Sequence, residues 1–334
     1  VISATPADLL LVAAALAFAW SIGAHYTGAC MGMAYASGAI RRDRALLSMA
    51  VLTAIGAAVA SGKVVGNIGL NLIGTADLTV PAAAAVILVA FALTTAYNYL
   101  KVPTSTIQIF VFSLIGVALG ANLPVHWPNL GVLVEIWVAA PLAALGLGFL
   151  LTRLLSSRAP SSGARSSEPM TAPPRWTLQA APLLVVMGLA ASFAMGANDV
   201  ANATAVFVST GLTDVLIAGV IGGIALAVGV VTWGSRLLST VAFDIVHMDS
   251  RMAVAAQAAQ ATVILAAVVL AGAFTSMNQA LIGGMAGAGL ARGERTIHWP
   301  TLRGILIGWA VGPVSGLLAG LGVISALNAL GIHV

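Results

Sequence analysis

The stretch Gly196-Ala197-Asn198-Asp199-Val200-Ala201-Asn202-Ala203 lies inside an apolar run that extends from 178 to 208. One carboxylate and two amides in such a run are costly in a bilayer; insertion scales put the Asp alone at roughly 2.5–3.5 kcal/mol. Groups that costly at membrane depth mark an ion or substrate path. The helix breakers beside them predict unwound backbone lining a protein cavity. Both inferences require a membrane protein, and the composition supplies one. Of 334 residues 60% are apolar and only 7% charged, with a mean hydropathy of +1.04. A soluble domain carries about 25% charged residues, so this chain has too few to solvate itself. Its 36 glycines suit helices that pack closely or break.

The apolar runs give ten candidate spans, each near the ~20 residues a bilayer needs. They fall at 8–40, 45–62, 80–100, 104–122, 130–152, 178–208, 214–233, 252–272, 278–291 and 300–329. The first, sixth and last are too long for one straight helix. Polar groups inside 8–40 and 178–208 predict a break in each. The short segments 104–122 and 278–291 begin at or just after polar Thr-Ser, which predicts re-entrant or half-spanning helices. Residues 156–177, SSRAPSSGARSSEPMTAPPRWT, read as a solvated linker. The first apolar segment has no basic stretch ahead of it and is expected to be a span rather than a cleaved leader.

Charge sets the orientation. With the amino terminus outside and the spans alternating, only Lys63 of the 14 basic residues falls outside. Basic residues gather on the cytoplasmic side of membrane proteins. Both termini are therefore expected outside and the linker inside, in a multi-pass protein of the plasma or inner membrane. The same topology accounts for the basic residues without a nucleic-acid partner.

Four anchors recur at nearly one spacing. Gly23-Ala24 with Gly38 returns as Gly196-Ala197 with Gly211, and Lys63-Val64-Val65 as Arg236-Leu237-Leu238. Thr104-Ser105-x-x-Gln108 returns as Thr275-Ser276-x-x-Gln279, and Trp137-x-x-x-Pro141 as Trp309-x-x-x-Pro313. The offsets lie between 171 and 173 residues. Five spans in each copy is an odd number, so the copies must be inverted in the membrane. The expected fold is an all-α polytopic membrane protein of two inverted-topology repeats, each of about five transmembrane segments with broken or re-entrant helices. The repeats occupy 1–155 and 178–334. Such a build is that of secondary transporters, with the substrate where the breaks meet.

These motifs resemble those of a known family. Gly196 to Ala203 is similar to the signature of the inorganic phosphate transporter family. Pro103-Thr104-Ser105-Thr106 and Phe274-Thr275-Ser276 resemble its Thr/Ser-containing breaks, and Gly287-x-Gly289-Leu290-Ala291-Arg292-Gly293 with Trp309 and Pro313 fits its C-terminal half. Phosphate members usually carry the Asn-Asp signature in both halves. Here the first copy reads Gly23-Ala24-His25-Tyr26-Thr27-Gly28. Its continuation, Cys30-Met31-Gly32 and Ala34-Tyr35-x-Ser37-Gly38-Ala39-Ile40, is similar to the sulfate permease branch. The resemblance implies symport of a tetrahedral oxyanion with a cation, and a homodimer.

Chemistry bears on which oxyanion. Phosphate keeps a proton near neutral pH and can donate to a carboxylate; sulfate cannot, so its site should be built of donors. Replacing Asn-Asp by His25-Tyr26 removes a carboxylate, which tilts the reading to sulfate over phosphate. The expected anion contacts are His25, Tyr26, Thr27, Gly28, Thr104, Ser105, Thr106, Asn198, Asn202, Thr275 and Ser276. Asp199, with Asn198, is expected to carry the coupling ion. A lone protonatable carboxylate suffices for a proton, whereas sodium, the alternative, needs several oxygen ligands. A passive anion channel is a further alternative. No enzyme is expected, because no G-x-S-x-G, H-E-x-x-H or Walker sequence is present. His126, His247, His298 and His333 have no ligand spacing, so neither a metal site nor a cofactor is expected.

Overall fold

The computed structural model describes residues 5–61, 72, 78–157, 175–209, 213–271 and 275–331. Lys63, Gly211, Phe274 and most of the linker lie outside them. The described residues are nearly all helical; their only β pairing is the isolated bridge Val246–Ile297. Helix α1 (Pro6–His25) is followed after Tyr26 by α2 (Thr27–Ala36), α3 (Arg42–Ala60), α4 (Val80–Leu100), α5 (Thr106–Gly120) and α6 (Trp127–Ser157). The second half holds α7 (Arg175–Ser209), α8 (Val215–Trp233), α9 (Ser235–Ser239), a π-turn at Thr240–Asp244, α10 (Ser250–Ala271), α11 (Met277–Arg292) and α12 (Trp299–Ala329). Seven stretches among the described residues are long and apolar enough to cross a membrane: α1 with α2, α3, α4, α6, α7, α8 and α12.

Local chemistry fixes the starts of these helices. Thr5 and Asp8 form a reciprocal capping box on α1, with Pro6 at its first position. The Thr79 side chain accepts from Ala82 N at the start of α4, and Asp214 from Ile217 N at the start of α8. Helices α5 and α11 have 15 and 16 residues. At 1.5 Å per residue each covers about 23 Å, short of a hydrocarbon core of about 30 Å.

Two expectations need correction. The run 178–208 was expected to break at its polar signature, yet α7 passes through Gly196 to Ala203 as continuous helix. Gly196 serves close packing instead: a Cβ there would stand 2.0 Å from Thr53 O on α3. Likewise 300–329 is one helix, α12, with Pro313 inside it. The break in 8–40 is real and falls at Tyr26, whose φ of −97° and ψ of 4° leave the helical region. Sequence reading also missed the Gly234 joint between α8 and α9 and the π-turn after it.

Helix contacts recur with the halves exchanged. Helix α5 packs along α12 as α11 packs along α6, and α1 packs on α8 as α7 packs on α3. The glycines carry the same exchange to single atoms. A Cβ on Gly23 would meet Leu226 O, and one on Gly196 would meet Thr53 O; a Cβ on Gly229 would meet Trp20 O, and one on Gly56 would meet Phe193 O. Each second contact lies 173 residues from the first around the exchange. Backbone-to-backbone approach of this kind replaces a hydrophobic driving force, which is absent between helices in lipid.

Candidate functional site

The short helices α5 and α11 meet at their amino termini. Ser105 Oγ accepts from Gln108 N, and Ser276 Oγ from Gln279 N, each at 3.4 Å. Accepting in this way leaves each O–H proton to give elsewhere. Gln108 Nε2 donates to Gln279 Oε1 at 3.1 Å, and Gln279 Nε2 donates to Gln108 Oε1 at 3.0 Å. The repeated Thr-Ser-x-x-Gln motif thus builds both the caps and the tie between them.

Tyr26 stands at the bend between α1 and α2, beside these termini. Its hydroxyl pairs with Thr106 Oγ1 at 3.0 Å and lies next to Asp199 and Ser276. Asp199 is buried, and Asn202 Nδ2 donates to its Oδ1 at 3.4 Å. Among the described residues no basic side chain forms an ion pair with it. Tyr26, Ser105, Thr106, Asp199, Asn202 and Ser276 therefore gather from α1, α5, α7 and α11 around one buried point. Three oxygens at the two breaks, Thr104 Oγ1, Thr275 Oγ1 and Asn278 Oδ1, are buried without a hydrogen-bond partner. Buried polar atoms are nearly always satisfied; three further hydroxyls, on Thr94, Thr152 and Thr213, are likewise without a partner among the described residues, so the unpartnered oxygens are not confined to the breaks.

Other expected residues have different surroundings. His25 is fully buried with both ring nitrogens occupied. Asn98 Nδ2 donates to Ser21 O and Ser21 Oγ, so Asn98 Oδ1 is the acceptor that faces His25 Nδ1–H. His25 Nε2 then accepts from Thr104 N at 3.0 Å. The histidine clamps the chain before α5 to α1 and α4. The Thr27 hydroxyl reaches Gly234 O at 2.6 Å and Ala24 O at 3.2 Å, tying the Tyr26 bend to the joint between α8 and α9. Gly28 is turned the same way: a Cβ there would strike Val241 and Leu237 O. Asn198 is half-buried and lines a separate cavity of about 330 Å³ with Gln260 and Met277.

Sequence reading passed over three amides that hold the breaks. Asn98 is one; Asn278 Nδ2 donates to Thr104 O at 2.9 Å, and Gln260 Nε2 donates to Ala29 O and Met277 O, both at 3.1 Å. The signal was available, since each is an amide inside an apolar run. The clamp is testable: His25→Ala leaves Asn98 Oδ1 and Thr104 N–H unpaired, at about 1–3 kcal/mol each. The expected result is a lower melting temperature in detergent than that of the parent, with a partial recovery in His25→Gln. An unchanged melting temperature would show that the two bonds hold nothing.

Long apolar helices around two half-helices that meet at their amino termini, with hydroxyls and one buried carboxylate between them, define a membrane transporter. The model of the phosphate transporter family matches residues 22–319, and the chain belongs to that family. It is similar to the sulfate permease CysP of Bacillus subtilis, 29% identical over 313 residues that cover 93% of this chain and 85% of the relative. A Methanocaldococcus jannaschii chain whose name proposes a phosphate permease is 27% identical over 302 residues, covering 90% and 91%. In fold the chain resembles a solved sodium-dependent phosphate transporter, with a TM-score of 0.81 at 20% identity over 98% of this chain and all of the other. The protein is a multi-pass membrane transporter of inorganic anions and not an enzyme.

Proposed function

We propose that this transporter imports sulfate by proton symport, with the anion held between the amino termini of α5 and α11. The observation that carries the reading is Tyr26 against Thr106 beside Asp199: where phosphate members usually place a second Asn-Asp, this chain places a hydroxyl donor. Thr104, Ser105, Thr106, Thr275 and Ser276 supply further donors, and the two helix termini add partial positive charge. Asn202 and Tyr26 complete the contact with the anion. His25, Thr27 and Gly28 serve by fixing the bend and the backbone of Thr104, and Asn198 by facing the adjoining cavity.

Asp199 is the proton carrier in this scheme. A second reading, sodium-coupled phosphate uptake, is favoured by the name of the solved structure that shares the fold. The two inverted repeats, the external termini, the cytoplasmic linker and a homodimeric assembly belong to the same proposal. The glycine contacts that recur on exchange of the halves support the repeats. The positive-inside bias supports the orientation.

Uptake of labelled sulfate and phosphate into proteoliposomes with imposed ion gradients tests the proposal. The expected outcome is sulfate uptake driven by an inward proton gradient and little displaced by equal phosphate. Phosphate that competes as well as unlabelled sulfate does would overturn the choice of anion. Stimulation by sodium instead of protons would establish the second ion.

A further inference from the structure

A groove of about 580 Å³ lies outside the anion site, between α6 and α12. Its walls include Trp137, Pro141, Leu306, Trp309, Ala310 and Pro313, and Gln108 and Gln279 form its floor. The two amides spend their polar atoms on each other, so the groove presents a largely apolar surface. Its size falls within the usual range of small-molecule sites, about 300–1,000 Å³. The helices that wall it are the most outward-facing spans. Only 22% of the apolar window of α6 and of α12 is buried, against 56% for α4. In a membrane protein such a groove opens to lipid.

The ends of the groove differ in charge. Arg303 is exposed on α12, next to Leu302 and one turn before Leu306, both of which line the groove. It lies in the first turns of α12, which begins at Trp299, and so near one end of the span, where a basic side chain can reach a lipid phosphate. Among the described residues Arg303 has no carboxylate partner. Towards the other end the exposed charge is Glu135, beside Val134.

We propose that the groove between α6 and α12 binds one anionic phospholipid, an acyl chain lying over the Gln108–Gln279 pair and the phosphate on Arg303. The arginine draws the lipid from one leaflet, and Glu135 disfavours its entry from the other. The chain then covers the outer side of the tie that joins the two half-helices.

Native mass spectrometry of the delipidated full-length protein, with phosphatidylglycerol or phosphatidylcholine added back, tests this. The parent should retain one phosphatidylglycerol per chain in preference to phosphatidylcholine. Arg303→Gln should weaken phosphatidylglycerol binding about fivefold, the effect of one basic residue near a lipid surface, and weaken phosphatidylcholine, whose phosphate is offset by its choline cation, by less. Ala310→Trp should fill the groove and remove both adducts. Equal phosphatidylglycerol binding by the parent and Arg303→Gln would overturn the proposal, and that exposed change settles the matter even if Ala310→Trp does not fold. Ala310→Trp that converts a dimer to a monomer while keeping its lipid would assign the groove to a second copy of the chain and refute a lipid there.

Discussion

Asp199→Asn protein is expected to bind sulfate and yet fail to concentrate it. Sulfate carries two negative charges, and an ionised, buried Asp199 beside Tyr26 would repel it with little solvent to screen the pair. Taking up a proton removes the repulsion, so proton and sulfate each favour the binding of the other, and linkage makes the favour reciprocal. The sign follows. Sulfate affinity of the parent should fall as pH rises through the range where Asp199 loses its proton. Asparagine mimics the protonated acid, so binding should persist with a weaker dependence on pH. Exchange of sulfate down its gradient should continue, while accumulation driven by a proton gradient should collapse to equilibrium. An Asp199→Asn protein that accumulates sulfate as well as the parent would remove Asp199 from the coupling. Parent protein whose uptake ignores proton and sodium ionophores alike would be a channel.

The double change Ser105→Ala with Ser276→Ala should weaken sulfate binding at least tenfold. Each hydroxyl accepts from the backbone of its own helix and retains a proton to donate. A hydrogen bond to a charged partner contributes about 1.5–3 kcal/mol, so two of them exceed a factor of ten comfortably. The change also removes two helix caps, each with a stability cost of about 0.5–2 kcal/mol. Binding must therefore be measured on protein shown to be folded, by titration against melting temperature. Unchanged affinity in the folded double variant would place the anion elsewhere.

The sequence carried the architecture because its strongest signals are the ones physics enforces. Apolar runs gave the helices, and the repeated Thr-Ser-x-x-Gln located both caps that now face each other. Gly196 shows where that reading stops. A glycine flanked by polar groups is the same letter whether the chain unwinds or a neighbouring backbone presses close, and the carbonyl of Thr53 decides for the second. The recurrence of Gly56 as Gly229 at the spacing of the other anchors was in the sequence and would have pointed to packing. Within the site, residue type was legible and direction was not. Consecutive residues on a helix point about 100° apart, so the run His25-Tyr26-Thr27-Gly28 could not all face one anion. The bend gives Tyr26 to the breaks, His25 to Asn98, and Thr27 to Gly234. Asn278, whose amide holds Thr104 O, showed only as an amide in an apolar run and not as part of the repeat: it has no polar counterpart in the first half, where Ile107 stands.

The pairing of Gln108 with Gln279 bears on how the empty protein would differ from one loaded as proposed. Two helix amino termini brought together are like poles, each worth about half a positive charge, and they push apart. A carboxylate between them would quench that field, and an arginine would add to it. Two neutral amides clasp the ends while leaving their charge unspent. On the proposed placement an arriving dianion would cancel that repulsion, and the cargo would be the mortar of the junction: the two short helices would grip each other harder full than empty.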